Sequence, residues 1–487
     1  MRRSGVGRGD IVLAQLPNWR EFVRLAVGAE TAGVVLAFCP VHWGLRETVG
    51  ALALIRPRLW FTTTAPGQDA DRTEIVQRAL GALEGSSLTV VVRSREAPAG
   101  TIRIEDWLAD AERPSPDAAV QGDAGLAPLE IAVTSGSAGD PKSVVHVHDT
   151  ALAAVDSTIR RQRILPADVV HVAVPVCHTF GYFYGVRCAL QAGAAMVLQE
   201  SWGPKRMVEL IGAHGVTISL GPSAFVLELL RGVSTYRQAL AGLRLFTHGG
   251  DTLPAPAMRR AVEQLPFRIS RVFGMTELGH VTATDETTPL ERCIDSVGSP
   301  QPEMEIRIGG DDGVPLAPGN EGRILARGPF LFAGYLAGDR VDEDILDDEG
   351  FFDTGDLGFL GQDGFLRITG RAKHVIRRGA ETVPAALLEN LIAGHPAVQH
   401  AVVVGVPDSR LGLGEVPIAC VQLRPGAVLT LHDIETLLEQ HGVTRRFWPV
   451  GLRAFDQWPL GATAKIDRHA LLAHITGSGV FRPLPEK

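Results

Sequence analysis

Cysteine is scarce in this chain. Cys39, Cys177, Cys188, Cys293 and Cys420 are scattered through 487 positions with no C-x-x-C pair. That excludes a disulfide scaffold and a cysteine-built zinc site, and it fits free thiols in a reducing cytoplasm. Long apolar runs are also missing. The most apolar region, Phe22 to Phe38, carries Arg24 and Glu30, so it is too short and too charged to span a membrane. The first ten residues are basic with no apolar core behind them, so no signal peptide is expected. Positive charge is not concentrated anywhere. Lys and Arg number 47 against 55 Asp and Glu, a net charge of -8, which argues against a nucleic-acid partner. No repeat or low-complexity tract stands out. What remains is a soluble, globular composition, 45% hydrophobic and 21% charged, with length for about three domain-sized units.

Short apolar runs alternate with helical periodicity over the first 300 residues, which predicts α/β architecture with buried, largely parallel strands. Strands are expected at Ile11–Ala14, Val34–Ala37, Leu59–Phe61, Leu88–Val92, Val169–Val174, Ala194–Leu198, Val216–Leu220, Leu243–Phe246 and Ile269–Phe273. A helix follows Asn18, a residue suited to an N-cap. Residues 94–127 are polar with several Pro and Gly, and read as a loop region. After residue 300 strand-turn-strand signals dominate, including Asp363-Gly364 between apolar runs. A tail beyond Arg371 alternates helix, strand, strand and helix, as a small α+β domain does.

Against that background, Thr134-Ser135-Gly136-Ser137-Ala138-Gly139-Asp140-Pro141-Lys142-Ser143 follows an apolar strand end. Glycines let backbone N–H groups crowd around an anion, hydroxyls add donors, and a lysine adds charge. The alternative is a polar surface turn. A P-loop needs glycine before its lysine; Pro141 has no N–H and a fixed φ, which rejects that motif. Phe273-Gly274-Met275-Thr276-Glu277 ends another strand, where a hydroxyl beside a carboxylate suits a phosphate and its Mg²⁺. Thr354-Gly355-Asp356, read as a strand end, offers a carboxylate for ribose hydroxyls, and Gly370-Arg371-Ala372-Lys373 offers cations. Gly461-Ala462-Thr463-Ala464-Lys465 is a small-residue turn carrying a lysine. Singly, each also reads as an ordinary turn, ion pair or solvated lysine.

In order and spacing, TSGSxGxPK, xGMTE, TGD, GRxK and the late lysine turn closely resemble the adenylate-forming superfamily of acyl-CoA synthetases, luciferase and adenylation domains. The resemblance runs from about Val6 to about Ala473, with a texture nearest to acyl- and aryl-acid CoA and AMP ligases. Members usually carry additional residues before the segment matching Gly5–Asp10. The resemblance implies that ATP activates a carboxylic acid as acyl-AMP, with CoA as the second substrate, in a cytoplasmic enzyme of secondary metabolism. It implies an ATP site of Thr134, Ser135, Gly136, Ser137, Gly139, Lys142, Phe273, Gly274, Thr276, Asp356 and Arg371. It implies Mg²⁺ on Glu277, Lys465 bridging carboxylate and α-phosphate, and Lys373 as the hinge. Residues 1–371 would form the large domain and 372–487 the small mobile one.

Pro175-Val176-Cys177-His178-Thr179-Phe180-Gly181 matches the family's P-x-x-H-x-x-G segment. Amino-acid-activating members have Asp where His178 stands, which argues against an α-amino acid. Dihydroxybenzoate ligases have Asn where Thr179 stands, which argues against that acid as well. Phe225, Thr247, His248, Gly249, Gly250 and Asp251 complete the expected acid pocket; the polar groups among them imply a polar feature on the acid. Departures gather on the thioester side: His374, Ala380, Ala386, Phe447 and Ala464 replace usual residues, while Ala138 and Ser143 depart in the opening loop. They raise a second reading, in which acyl-AMP passes to a carrier protein or partner enzyme. A P-loop NTPase is disfavoured by Pro141, and a non-catalytic binding protein by retention of Glu277, Asp356, Arg371 and Lys465.

Overall fold

A computed structural model describes residues 4–65, 71–83, 87–94, 96–109, 128–135, 141–251, 253–310, 313–338, 340–372, 376–378, 381–383, 385–408, 414–460 and 466–477. Two large sheets draw most of their strands from the first 300 residues. The first holds nine strands. Six run parallel: Pro128–Ser135, Val35–Phe38, Ile11–Ala14, Leu59–Thr62, Leu88–Val91 and Thr101–Arg103. Beside Pro128–Ser135 the order continues antiparallel through Pro141–Val147, Gly334–Ala337 and Arg340–Asp342. The second sheet places Arg268–Met275, Leu245–His248, Ile218–Gly221, Val169–Val172 and Ala195–Leu198 in parallel. Strand Gly279–Ala283 returns antiparallel beside Arg268–Met275. Near-continuous Val, Ile, Leu and Phe runs match strands buried on both faces.

An antiparallel sheet of four strands follows: Glu305–Gly309, Gly322–Arg327, Phe352–Leu360 and Leu366–Arg371. A smaller unit then forms around the hairpin Val398–Asp408 and Gly414–Leu423. Its side chains alternate as strand geometry requires. Val403, Ala419 and Val421 pack with Leu388, Ile392, Ile434 and Leu438 of two helices, Ala385–Gly394 and Leu431–Gln440. Val402, Val404, Ile418 and Cys420 face the other way onto Leu471 and Ile475.

Asn18 does not cap the first helix. Trp19 occupies that position before Arg20–Ala32, without a side-chain cap. The Asn18 amide instead stitches the two large sheets together. It donates to the carbonyls of Val174 (3.0 Å) and Gln199 (2.9 Å), and its oxygen accepts from the Val176 N–H (2.8 Å). One amide serves all three backbone groups because it carries both donor and acceptor. A second link is an ion pair. Arg187, in a π-helical turn Tyr182–Arg187, meets Glu130 of the first sheet at 3.1 Å. Burial pushes the Glu130 carboxyl up to about 7, against the pull of Arg187. Residues 94–127 are not all loop: Thr101–Arg103 is the edge strand of the first sheet and Ile104–Ala109 a short helix, with 110–127 outside the described residues. A strand of three residues offers too little pattern to read from sequence.

Candidate functional site

Loops gather at the carboxyl ends of the second sheet's parallel strands, where open α/β sheets hold their ligands. Val169–Val172 leads into the segment carrying His178. Ile218–Gly221 leads into helix Ser223–Arg231, which carries Phe225. Leu245–His248 leads into Gly249–Asp251, and Arg268–Met275 into Thr276 and Glu277. Glycine is required at two of these bends. A Cβ on Gly181 would lie 2.3 Å from the Pro175 carbonyl oxygen, which explains the P-x-x-H-x-x-G spacing. A Cβ on Gly274 would lie 1.9 Å from the Gly279 oxygen, at the register shift between Phe273 and Gly274.

The described residues of the 134–143 stretch end one strand, Pro128–Ser135, and begin its antiparallel partner, Pro141–Val147. Thr134 pairs with Lys142 and Ser135 with Pro141 across the two. Gly136, Ser137 and Gly139 lie outside the described residues, as do Lys373 and Lys465. This hairpin and residues 332–337 beside it are tied to the Thr276–Glu277 turn by three contacts. His146 Nε2 is 2.7 Å from the Thr276 carbonyl, so that nitrogen carries the proton and donates. The Phe332 N–H donates to the Glu277 carbonyl at 2.9 Å. The Tyr335 hydroxyl donates to Glu277 Oε1 at 2.9 Å, while Lys142 Nζ stands 5.1 Å from the Tyr335 ring centre. Burial pushes the His146 imidazole down to about 4, so it is neutral at pH 7.

Asp356 and Arg371 face each other in the third sheet, Arg371 Nε 2.7 Å from Asp356 Oδ1. Asp356 is 4% exposed, whereas Arg371 is exposed. The T-G-D triplet sits within the strand Phe352–Leu360 rather than at a strand end. The Thr354 hydroxyl donates to the Ile324 carbonyl (2.8 Å) and accepts from the Asp356 N–H (3.1 Å). That local pairing turns the carboxylate and explains a hydroxyl two residues before it.

On the acid side, His178 Nδ1 accepts from the Phe180 N–H at 3.3 Å. Phe180 Cζ is 3.7 Å from where a Gly249 Cβ would be. His248 is buried, its Nε2 3.0 Å from Ser223 Oγ; Asp251 Oδ1 accepts from both the N–H and the hydroxyl of Ser223 at 2.9 Å. Asp251 thereby caps helix Ser223–Arg231 from outside it. Thr247 is buried beside His248, and Phe225 stacks on Trp202 with ring centres 3.7 Å apart. Three residues that no motif singled out stand near these candidates, two on this side and one beside Glu277. His280 stacks on Tyr184 at 3.3 Å and meets Phe180 edge-on at 5.5 Å. Its Nδ1 is buried without a partner, and burial pushes the ring down to about 3. The third is Tyr335. Nothing in the sequence marked it beyond its being one of four tyrosines; it follows Gly334 in the strand Gly334–Ala337, which pairs with Pro141–Val147.

A family model for the AMP-binding enzyme matches residues 1–336, and one for the AMP-binding enzyme C-terminal domain matches 387–450. The chain belongs to the AMP-binding enzyme family. A medium-chain fatty-acid–CoA ligase of Escherichia coli is 29% identical over 97% of this chain and 82% of its own length. A salicyl-AMP ligase/salicyl-S-ArCP synthetase of Mycobacterium tuberculosis is 31% identical over 97% of this chain and 82% of its own. The crystal structure of ATP-bound MatB from Rhodopseudomonas palustris superposes with a TM-score of 0.87 at 23% identity, covering 99% of this chain and 91% of that one. That likeness shows the shared α/β fold, with its large N-terminal and smaller C-terminal parts. This AMP-binding enzyme is thus an ATP-dependent acid ligase working through an acyl-adenylate. Among the described residues no helix is long and apolar enough to cross a membrane.

Proposed function

We propose that this AMP-binding enzyme adenylates a small carboxylic acid and transfers the acyl group to CoA. The gathering of His178, Gly249, Thr276 and Glu277 at the carboxyl ends of one parallel sheet carries this reading. A carboxylate oxygen attacks the α-phosphorus of ATP, and the bond to the bridging oxygen of pyrophosphate breaks. Positioning and charge neutralisation supply most of the acceleration. Lys142 and the hydroxyls of Thr134, Ser135 and Ser137 would hold the β,γ-phosphates, Thr276 the α-phosphate, and Phe273 the adenine face. Asp356 would accept from the ribose hydroxyls with Arg371 beside it. His178 accepts at Nδ1, so its neutral ring carries a proton at Nε2 for the acid's carboxylate. Lys465 would bridge that carboxylate and the α-phosphate. In the second half-reaction a thiol sulfur attacks the acyl carbon and AMP leaves, with residues 372–487 rotating about Lys373 between the steps.

The donor set fits Mg²⁺. One Glu277 oxygen is engaged by Tyr335, and no three His, Cys, Asp or Glu side chains gather among the described residues. A single carboxylate completed by substrate phosphates is the usual Mg²⁺ arrangement. The ion, when bound, supplies positive charge for the leaving pyrophosphate.

Phe180, Tyr184 and His280 present ring faces and edges on the acid side, which supports a flat acid with a polar substituent. Two observations keep a carrier-protein acceptor in view. Ala386 and Phe447 stand where the family has other residues, and a relative named salicyl-S-ArCP synthetase spans 97% of this chain. ATP–pyrophosphate exchange over a panel of aryl, cyclic and fatty acids, with CoA or a holo-carrier added, tests all three parts. Exchange with no acid on the panel would defeat the reading. A preference for plain fatty acids would defeat the substrate class, and thioester only on the carrier would replace CoA.

A further inference from the structure

Tyr335 stands between the two charges that the proposed nucleotide site keeps apart. Its strand, Gly334–Ala337, pairs antiparallel with Pro141–Val147, and Tyr335 lies opposite Val144, two residues from Lys142. The hydroxyl is on Glu277 Oε1 at 2.9 Å, and the ring carries Lys142 Nζ at 5.1 Å. Phe332 packs edge-on against the ring at 4.9 Å and fixes the Glu277 backbone through its own N–H. Lys142 and Glu277 are therefore opposite charges separated by one aromatic side chain. Directly paired, neither would be ready for its ligand. A ring face attracts an ammonium only weakly at an exposed site, so an arriving phosphate takes the lysine from it readily. A phenol is neutral, so it orients the carboxylate without using up its charge.

We propose that Tyr335 is a positioning residue that holds the Glu277 carboxylate for its metal ion and keeps Lys142 from pairing with it. The proposal rests on the reading in which Lys142 meets phosphate and Glu277 the metal.

Two substitutions separate the two tasks. Tyr335→Phe keeps the ring beneath Lys142 and removes the hydroxyl; Tyr335→Leu removes both. ATP binding by calorimetry, with Mg²⁺ titrated from zero and at two salt concentrations, reads each task without turnover. Tyr335→Phe is expected to need about tenfold more Mg²⁺ for half-maximal tightening of ATP binding, one charge-assisted hydrogen bond's worth. Its affinity for ATP without Mg²⁺ should match the parent's. Tyr335→Leu should bind Mg²⁺-free ATP about threefold more weakly at low salt. It should regain part of that at about 0.5 M KCl, where a Lys142–Glu277 pair is screened; the parent should only weaken. A general structural role would lower the melting temperature and leave the Mg²⁺ titration unmoved. A Tyr335→Phe titration superimposed on the parent's overturns the metal-orienting task. A Tyr335→Leu affinity that falls with salt as the parent's does overturns the spacing task. If the leucine variant fails to fold, the phenylalanine variant decides the proposal. Absence of exchange with every acid defeats the adenylation reading alone, since the calorimetry still reports on Tyr335. Absence of ATP binding by the parent defeats both.

Discussion

The two ends of the proposed site are built differently. At the proposed nucleotide end, Glu277, Asp356 and Lys142 stand on or beside strands: the Tyr335 hydroxyl turns Glu277, the Thr354 hydroxyl and Arg371 turn Asp356, and the Tyr335 ring lies beside Lys142. Glu277 and Lys142 are held by a neutral side chain, and Asp356 is paired with Arg371. At the acid end three polar side chains engage each other. Ser223, His248 and Asp251 form one set, and Tyr184, His280 and Phe180 pack as rings. The first end suits a ligand whose chemistry never changes, and the second a ligand recognised by shape and a few placed polar atoms. Substitutions at the first end should therefore act on rate and ATP affinity, and those at the second on acid preference and stability.

The largest expected effect tests the charge at the nucleotide end. Lys465→Ala should lower pyrophosphate exchange by about 10²–10³-fold, the cost of removing a charge-stabilising donor from a transition state. The melting temperature should hold. Unchanged exchange would break the assignment. Asp356→Ala comes next, with the Michaelis constant for ATP rising about ten- to hundredfold, as losing hydrogen bonds to a charged group implies. The acid's constant should stay put; a matching rise in it would merge the two ends.

The strand pattern was legible because parallel strands buried on both faces leave apolar runs. Val35–Phe38 appears one residue from its expected place, and Arg268–Met275 extends the run seen at Ile269–Phe273. The motifs proposed for the nucleotide stand out in the sequence because their backbone geometry is local: Gly274 meets Gly279, and Thr354 meets Asp356, within a few residues. What escaped was long-range. His146 reaches Thr276 across 130 positions, Tyr335 reaches Glu277 across 58, and Asn18 joins strands over 150 positions away. Such contacts depend on sheet order, which no local pattern encodes. His248 and Asp251 were visible as residues, but their shared partner Ser223 lies 25 and 28 positions back.

Acid pH should expose a liability common to both ends. Burial pushes His146 and His171 down to about 4 and His280 to about 3. An unfolded histidine takes up its proton near pH 6.5. Between that pH and the folded values the unfolded chain binds more protons, so stability is complete above about pH 6.5 and drains as pH falls toward 4. Each histidine should cost about 1 kcal/mol by roughly pH 5.5, seen as a falling melting temperature by calorimetry. Replacing either His146 or His280 with Phe should flatten that slope. Only His146→Phe should also raise the Michaelis constant for ATP, because only it leaves the Thr276 carbonyl without its donor. Equal effects on ATP would erase the distinction between the ends.

The smallest effect concerns Asp251. Its Oδ1 accepts from the N–H and hydroxyl of Ser223, the first residue of helix Ser223–Arg231, so its first duty is to end that helix cleanly. Asp251→Ala leaves those donors to turn elsewhere and should cost about 1 kcal/mol, the usual value of a lost N-terminal cap. Urea denaturation measures it. Asp251→Asn keeps the accepting oxygen and discards the charge, so it should retain most of that stability. Both variants should bind ATP as the parent does. If the asparagine variant loses as much stability as the alanine variant and weakens ATP binding too, the Asp251 charge acts across the whole site. Ser223, His248 and Asp251 would then no longer be the closed set that their hydrogen bonds describe.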